Sequence, residues 1–133
     1  LRREIAALKK EGFNTLWPDT PQPWWFYDIC DRTGMYVIDQ ANINTSYETG
    51  NRRIGGCLSN DPAWLPEYRE RTQAMFRRSH THPCIVAWSL GGQSGNGFNL
   101  YRTYLWLRTA DPNRPILYDG AGGEWNNDLP LTR

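Results

Sequence analysis

Apolar positions along the chain recur at two spacings, and each spacing predicts a different kind of element. Leu1, Ile5 and Leu8 share one helical face, and Gly12 follows where a helix commonly ends. This spacing predicts an amphipathic first helix. Three later stretches have the same character and are predicted to be helices: 24–32, the stretch between the N-cap signature at 59–62 and the break at 80–83, and 98–110.

Short β-prone runs lie between these helices and predict four strands: 13–17, 35–38, 84–89 and 116–118. The polar segment 40–60 shows little periodicity and is predicted to be mainly loop. Because strands that alternate with helices run parallel with the helices packed outside, the predicted fold class is α/β. Functional groups in such folds gather after the carboxyl ends of the strands. Those loops are 17–22, 39–47, 90–97 and 119–128.

The charge balance narrows the function classes. The 133 residues carry 15 Lys and Arg against 14 Asp and Glu, a formal net charge of +1. This balance gives no bulk electrostatic reason to bind nucleic acid or an anionic membrane. The longest apolar runs are about five residues, far short of the roughly twenty that span a bilayer. Partners of both kinds are therefore predicted to be absent.

Cysteine and aromatic residues add two expectations. Cys30, Cys57 and Cys84 are an odd number without C-x-x-C spacing, so neither a disulfide framework nor a structural zinc site is expected. Seven Trp and seven Tyr are many for this length. Large aromatic side chains mostly fill cores, but their flat faces also stack on sugars and bases.

Several familiar motifs fail on detail. The glycine-rich loop 91–97 lacks both the G-x-G-x-x-G order and the Lys of a P-loop, so ordinary turn chemistry explains it better than nucleotide binding. His80 and His82 are too close in sequence to share a helical face as metal ligands. A glycosidase-type carboxylate pair is conceivable among the acids near strand ends, although composition cannot choose two of them. These acids are Asp19, Asp39, Glu48, Asp119, Glu124 and Asp128.

Four segments, taken in order, carry a resemblance to a known enzyme family. Residues 30–43 read C-D-R-T-G-M-Y-V-I-D-Q-A-N-I, and residues 61–65 read D-P-A-W-L. Residues 82–91 read H-P-C-I-V-A-W-S-L-G, and residues 111–115 read D-P-N-R-P. The first three resemble the C-D-R-x-G-x-x-V-x-D-E-A-N-I, D-P-x-W-L and H-P-S-x-x-x-W-S-L-G-N-E-S segments of glycoside hydrolase family 2, the β-galactosidase-like group. With the fourth, the resemblance covers nearly the whole chain.

The resemblance implies a (β/α)₈ barrel and the hydrolysis of O-glycosyl bonds. Residues 1–133 would be the first half of that barrel, from the first helix through the fifth strand, since a whole barrel takes about 250 residues. The family's nucleophile belongs to a later strand and is expected to lie outside this chain. Gln93 stands at the position of the family's acid/base Glu, and Gly92 at that of an Asn that contacts the sugar. A primary amide can neither protonate a leaving group nor activate water, so the chain is expected to be inactive.

The family's magnesium site is expected to be lost as well. In the family's D-E-A-N-I-E-T-H-G segment, a Glu and a His help to bind the ion. The matching positions in this chain are Asn44 and Ser46, and Gln93 replaces a third ligand. Because a hard cation prefers charged oxygen ligands, we expect neither a metal nor another cofactor.

Three functions remain open. The chain is part of a glycosidase, a non-catalytic carbohydrate-binding barrel, or a purely structural segment. The loop after the first strand reads W-P-D-T-P, without the Arg and His of the family's R-x-S-H-Y-P. Predicted substrate-binding residues are Trp17, Asp19, Asn42, Trp88 and Gly92, and the binding hypothesis adds Trp24, Trp125 and the Gln93 amide. A carbohydrate, the rest of the barrel, or a second copy joined through exposed strand edges are the expected partners.

Overall fold

The computed structural model describes residues 1–46, 50–51 and 53–129. Helices and strands alternate along them as α1 (Arg2–Lys10), β1 (Thr15–Leu16), α2 (Trp24–Thr33), β2 (Tyr36–Gln40), α3 (Leu65–Ser79), β3 (Ile85–Ser89), α4 (Phe98–Ala110) and β4 (Ile116–Leu117). Short 3₁₀ turns lie at Leu58–Asn60, Pro62–Trp64 and Asp119–Ala121. The strands form one parallel sheet in the order β1-β2-β3-β4. The predicted α/β fold with about four parallel strands is confirmed.

Helix ends follow the local sequence signals closely. Gly34 ends α2 in the left-handed conformation, with φ of 73°, which glycine adopts without a steric cost. The predicted limits of α4 are confirmed, and the side chain of Asn60 accepts a hydrogen bond from the Phe98 amide at its first turn. Asp61 caps a helical turn as predicted, accepting from the Ala63 amide at 3.1 Å, but that turn is 3₁₀ and α3 begins only at Leu65.

The strands differ from the predictions in length. The run 13–17 contributes only two paired residues to β1, because just Thr15 and Leu16 have partners on β2. The second strand, predicted over residues 35–38 and ending on Asp39, begins at Tyr36 and extends through Gln40, because it pairs with β3 that far. Polar residues extend the strand because a ladder partner is available, and hydrophobic pattern alone does not show that partner.

A buried carboxylate ties the sheet to the helices. Asp39 is fully buried and accepts hydrogen bonds from the Tyr27 hydroxyl at 2.7 Å, the Ser79 hydroxyl at 2.5 Å and the Arg78 guanidinium at 3.1 Å. Burial, and then the neighbouring charge of Asp39, raises the pKa of Tyr27 to about 12, so that hydroxyl stays a donor. Asp39 therefore faces α2 and α3 and joins both to β2, and it is not a candidate acid on the loop side.

The sequence-based prediction that Trp88 contacts a sugar needs correction. Its ring is fully buried, its indole N–H donates to the Asp111 carboxylate at 3.0 Å, and Phe76 of α3 packs against it. Arg114 binds the same carboxylate at 2.9 Å and lies over the Trp88 ring. Trp88 pairs with Asp39 across the ladder, so both side chains lie on the helix-facing side of the sheet.

Three further features complete the fold. The three cysteines are buried, and none of them forms a disulfide. Among the described residues, no helix has the length and apolar character that a membrane crossing requires. Within the same residues, β1 and β4 form the two edges of the sheet, each paired on one side only.

Candidate functional site

Two adjoining cavities form a cleft beyond the carboxyl ends of β1, β2 and β3. The larger has a volume of about 450 Å³ and the other about 410 Å³. Both are lined by Asp19, Gln40, Gly92 and Gln93. The remaining lining residues are Trp17, Gly91 and Asp119 in the first cavity, and Thr20, Asn42, Ile43, Asn44 and Ser46 in the second. We call this combined space the strand-end cleft.

Gln40 organises the floor of the strand-end cleft. Its amide oxygen accepts from the Trp17 indole at 2.9 Å and from the Ser89 hydroxyl at 2.8 Å, and its amide nitrogen donates to the Asp19 carbonyl at 3.0 Å. One nearly buried side chain thus joins the loop after β1 to the end of β3. It holds the partly exposed Trp17 ring beside the cleft.

Gly91 lets the loops after β2 and β3 approach closely. A Cβ atom at this position would lie 3.0 Å from the Ile43 carbonyl oxygen, and the next amide, that of Gly92, donates to that same oxygen at 2.8 Å. A side chain at position 91 would require Ile43 to shift by a few tenths of an ångström. The close approach places Gly92 against Asn44, with 3.3 Å between a Cβ at position 92 and the Asn44 Cγ.

Ser94 anchors the loop after β3 through hydrogen bonds to other segments of the chain. Its hydroxyl accepts from the Thr45 amide at 2.9 Å, and its carbonyl accepts from the Ser59 hydroxyl. The Tyr68 hydroxyl lies 3.0 Å from the Thr45 hydroxyl and 2.9 Å from that of Ser59. The Tyr118 hydroxyl accepts from the Ser94 amide at 3.2 Å, and burial raises the pKa of Tyr118, which keeps it protonated. The contacts of Ser94 therefore fix the chain at the adjacent position 93.

Comparison with known proteins decides the family. The chain matches the description "Glycosyl hydrolases family 2, TIM barrel domain" over residues 1–130. The chain belongs to glycosyl hydrolase family 2. A family 2 relative, the β-galactosidase of Pectobacterium atrosepticum, is 44% identical over 127 residues, which are 92% of this chain and 11% of the relative. The β-galactosidase of Enterobacter cloacae is 43% identical over 126 residues, again 92% of this chain and 12% of the relative.

A solved structure supports the same fold. The β-glucuronidase of an uncultured Clostridium species superimposes with a TM-score of 0.70 at 19% identity, covering 87% of this chain and 21% of that one. The parallel sheet with its helices is therefore part of a family 2 TIM barrel. The chain spans about a tenth of the length of the curated relatives that it matches.

Most residues that the family resemblance singled out do meet in the strand-end cleft. Trp17, Asp19 and Gly92 line it, and so does the exposed Gln93, which the resemblance matches to the family's acid/base Glu. Within the described residues, the Gln93 side chain forms no hydrogen bond. Asn42 lines the second cavity. The fold therefore brings these residues together in one cleft.

Other candidates lie elsewhere. Trp24 is 70% exposed on α2 and lines neither cavity, and Trp125 stacks on Tyr101 with ring centroids 5.0 Å apart. Asp128 binds Arg108 and the Ile116 amide instead of facing the cleft. Glu48 lies outside the described residues.

The positions that match the family 2 magnesium ligands do not fit the ion. Asn44, Ser46 and Gln93 all line the second cavity, but they offer two neutral amides and a hydroxyl. In the described part of the chain, no three His, Cys, Asp or Glu residues gather as a metal site would need. Magnesium favours carboxylate oxygens, so this donor set argues against retention of the family's ion.

Sequence reasoning missed Gln40 and the anchoring role of Ser94. Gln40 occupies the Glu position of the family's D-E-A-N segment. The sequence signal for its role was its place at the end of a strand, two residues after Ile38 and therefore on the same face. Ser94 offered no such signal, because its partners are 35 and 49 residues away in sequence.

Chemically, the strand-end cleft offers amides, two carboxylates and one indole face, which are groups suited to a polyhydroxylated ligand.

Proposed function

We propose that this chain supplies a cleft that binds a β-galactoside without hydrolysing it. The observation that carries the proposal is Gln93, whose exposed side chain lines both cavities at the family's acid/base position. A carboxamide donates and accepts hydrogen bonds to sugar hydroxyls, but it has no proton to give to a leaving oxygen at ordinary pH. Substrate contact is thereby retained while proton transfer is lost.

The side chains around Gln93 support a carbohydrate ligand. Trp17 offers part of an indole face, and Asn42 and Asn44 offer exposed amides. Sugars combine an apolar C–H face with a rim of hydroxyls, so a flat ring beside amides matches their surface. Neither a metal nor a cofactor is part of the proposal, since the matching positions provide only neutral donors.

The charges in the cleft favour a neutral sugar over a uronic acid. Asp19 and Asp119 line the larger cavity, and none of the described lining residues of the strand-end cleft is Lys, Arg or His. A uronate carboxylate would meet like charge from Asp19 in this lining. The β-galactosidase relatives fit this preference better than the β-glucuronidase whose fold is shared.

Calorimetric titration of the chain with galactose and glucuronic acid, beside hydrolysis of an aryl galactoside, tests the proposal. We expect galactose to bind, glucuronic acid to bind at least tenfold more weakly, and hydrolysis to stay at the buffer rate. Trp17→Ala should weaken galactose binding by about tenfold, as expected for loss of one aromatic contact. Trp24→Ala removes an exposed tryptophan outside the cleft and should leave the affinity unchanged.

The outcomes separate the alternatives. Hydrolysis by the unaltered chain would refute the proposal in favour of a working glycosidase. Hydrolysis that appears only in Gln93→Glu would agree with the proposal and locate the defect at the acid. No binding by either sugar would refute the proposal and leave the chain as a structural segment of the barrel.

A further inference from the structure

A third cavity lies beside the strand-end cleft, between α3 and the segment that follows β2. Its volume is about 190 Å³, smaller than the pockets that hold drug-sized ligands and suited to a single ring. It is lined by Asn42, Ile43, Asn44, Thr45, Leu58, Trp64, Glu67, Tyr68 and Arg71. We call it the α3 cavity.

The α3 cavity adjoins the strand-end cleft. Asn42, Ile43 and Asn44 line both spaces, so the chain segment that carries them forms the border. Ile43 is buried, whereas the side chains of Asn42 and Asn44 are exposed at that border. A ligand that extends from one space into the other would pass two amides able to donate and accept hydrogen bonds.

The chemistry of the α3 cavity matches that of a sugar subsite. Trp64 lines the cavity and is 43% exposed, so part of its indole surface is accessible to a ligand. Glu67 and Arg71 are four residues apart on α3 and so project from one side of that helix. An indole face flanked by a carboxylate and a guanidinium suits the C–H face and the hydroxyl rim of a pyranose.

The polar side chains of the α3 cavity are available to a ligand. Arg71 donates one N–H to the Asn42 carbonyl at 2.6 Å, which fixes the guanidinium at the border and leaves its other N–H groups. Glu67 forms no hydrogen bond or ion pair with any described residue, Arg71 included. The Tyr68 hydroxyl is already engaged by Thr45 and Ser59, so the inner wall is fixed.

We propose that the α3 cavity is a second carbohydrate subsite, which binds a further sugar residue of a β-linked oligosaccharide held in the strand-end cleft. This inference rests on the proposed carbohydrate function of the cleft. Trp64 is the stacking platform, and Glu67 and Arg71 hydrogen-bond the ring hydroxyls. The subsite adds affinity only for ligands long enough to cross the border.

Calorimetric titration with galactose and with a β-linked galactotriose tests the subsite. The trisaccharide should bind the chain about tenfold more tightly than galactose, a gain typical of one added stacking contact. Trp64→Ala should abolish that gain while leaving galactose affinity within twofold. Trp24→Ala, the matched removal of an exposed tryptophan from α2, should preserve the gain. Glu67→Gln, at an exposed side chain that pairs with none of the described residues, should reduce the gain by about threefold without disturbing the fold.

The results distinguish failure of the subsite from failure of the cleft. If galactose binds but the trisaccharide binds no more tightly, or if its gain survives Trp64→Ala, the subsite is refuted and the cleft remains. If neither sugar binds, the proposed function and the subsite both fail. A Trp64→Ala chain that loses galactose affinity as well would show that the ring supports the fold, and the Glu67→Gln comparison would then decide.

Discussion

Replacing Gln40 by Met tests the claim that one amide organises the strand-end cleft. The change keeps the length of the side chain and removes three hydrogen bonds, to Trp17, Ser89 and Asp19. The Trp17 indole and the Asp19 carbonyl belong to exposed residues, so water replaces much of what they lose. Ser89 is fully buried, and its other acceptor, the Gly91 carbonyl, is 3.3 Å away.

The expected loss of stability follows from this inventory. A hydrogen bond contributes a net 0.5–1.5 kcal/mol, roughly, and a buried group left poorly paired costs about 1–3 kcal/mol. Because the buried Ser89 hydroxyl would keep only its longer hydrogen bond to the Gly91 carbonyl, we expect Gln40→Met to lower the free energy of unfolding by about 1–2 kcal/mol. Urea unfolding followed by far-UV circular dichroism measures this, since that signal reports mainly the loss of the four helices.

Gln22→Met is the matched control. The Gln22 side chain donates a single hydrogen bond, to the Thr20 carbonyl at 3.0 Å, near the surface. Its replacement should change the free energy of unfolding by less than about 0.5 kcal/mol. Equal unfolding midpoints for Gln40→Met and Gln22→Met would refute the organising role of Gln40.

The other predictions concern stability at low pH, the closely packed Gly97 and the edges of the sheet. Burial alone would raise the pKa values of Asp31, Asp111 and Asp128, but hydrogen bonds to each carboxylate outweigh burial and lower them. These carboxylates stabilise the fold above the unfolded-state pKa of about 4, and this stabilisation is lost as the pH falls through their lower folded pKa values. Thermal midpoints measured from pH 6 to pH 2 should therefore decrease once the pH is below about 4. A midpoint that stays constant over this range would contradict the prediction. Gly97→Ala should destabilise the chain by about 1–3 kcal/mol in urea unfolding, because the new Cβ would lie 2.4 Å from the Asn60 Oδ1. Because β1 and β4 are paired on one side only in the described residues, sedimentation velocity should show self-association, and a stable monomer would count against open edges.

The order of elements was predictable because local signals agree with the fold. The limits of α4 follow from Gly97 before it and Pro112 shortly after it, which are signals carried by single residues. Strand lengths were less predictable, because the partner strand decides them. Polar Asp39 and Gln40 extend β2 only because β3 lies alongside.

Prediction of the candidate site was limited mainly because the sequence does not show on which face of the sheet a strand residue lies. The run around Trp88 is apolar on both faces, so its sequence gives no alternation to read. The register shows that Ser89 pairs with Gln40 and Trp88 with Asp39, which places Trp88 against the helices. Trp17 and Gln93, by contrast, follow strand ends, where topology alone directs residues to the cleft.

The anchoring of the loop after β3 has a consequence for how this site can evolve. The loop is held through the backbone and hydroxyl of Ser94, and the described residues give the neighbouring Gln93 side chain no share in it. Codons for Gln and Glu differ by one nucleotide, so a single base change can exchange amide and carboxylate with the loop geometry intact. Under the proposed function, one such change at position 93 would exchange proton-transfer chemistry for ligand recognition while the contacts of Ser94 stay in place.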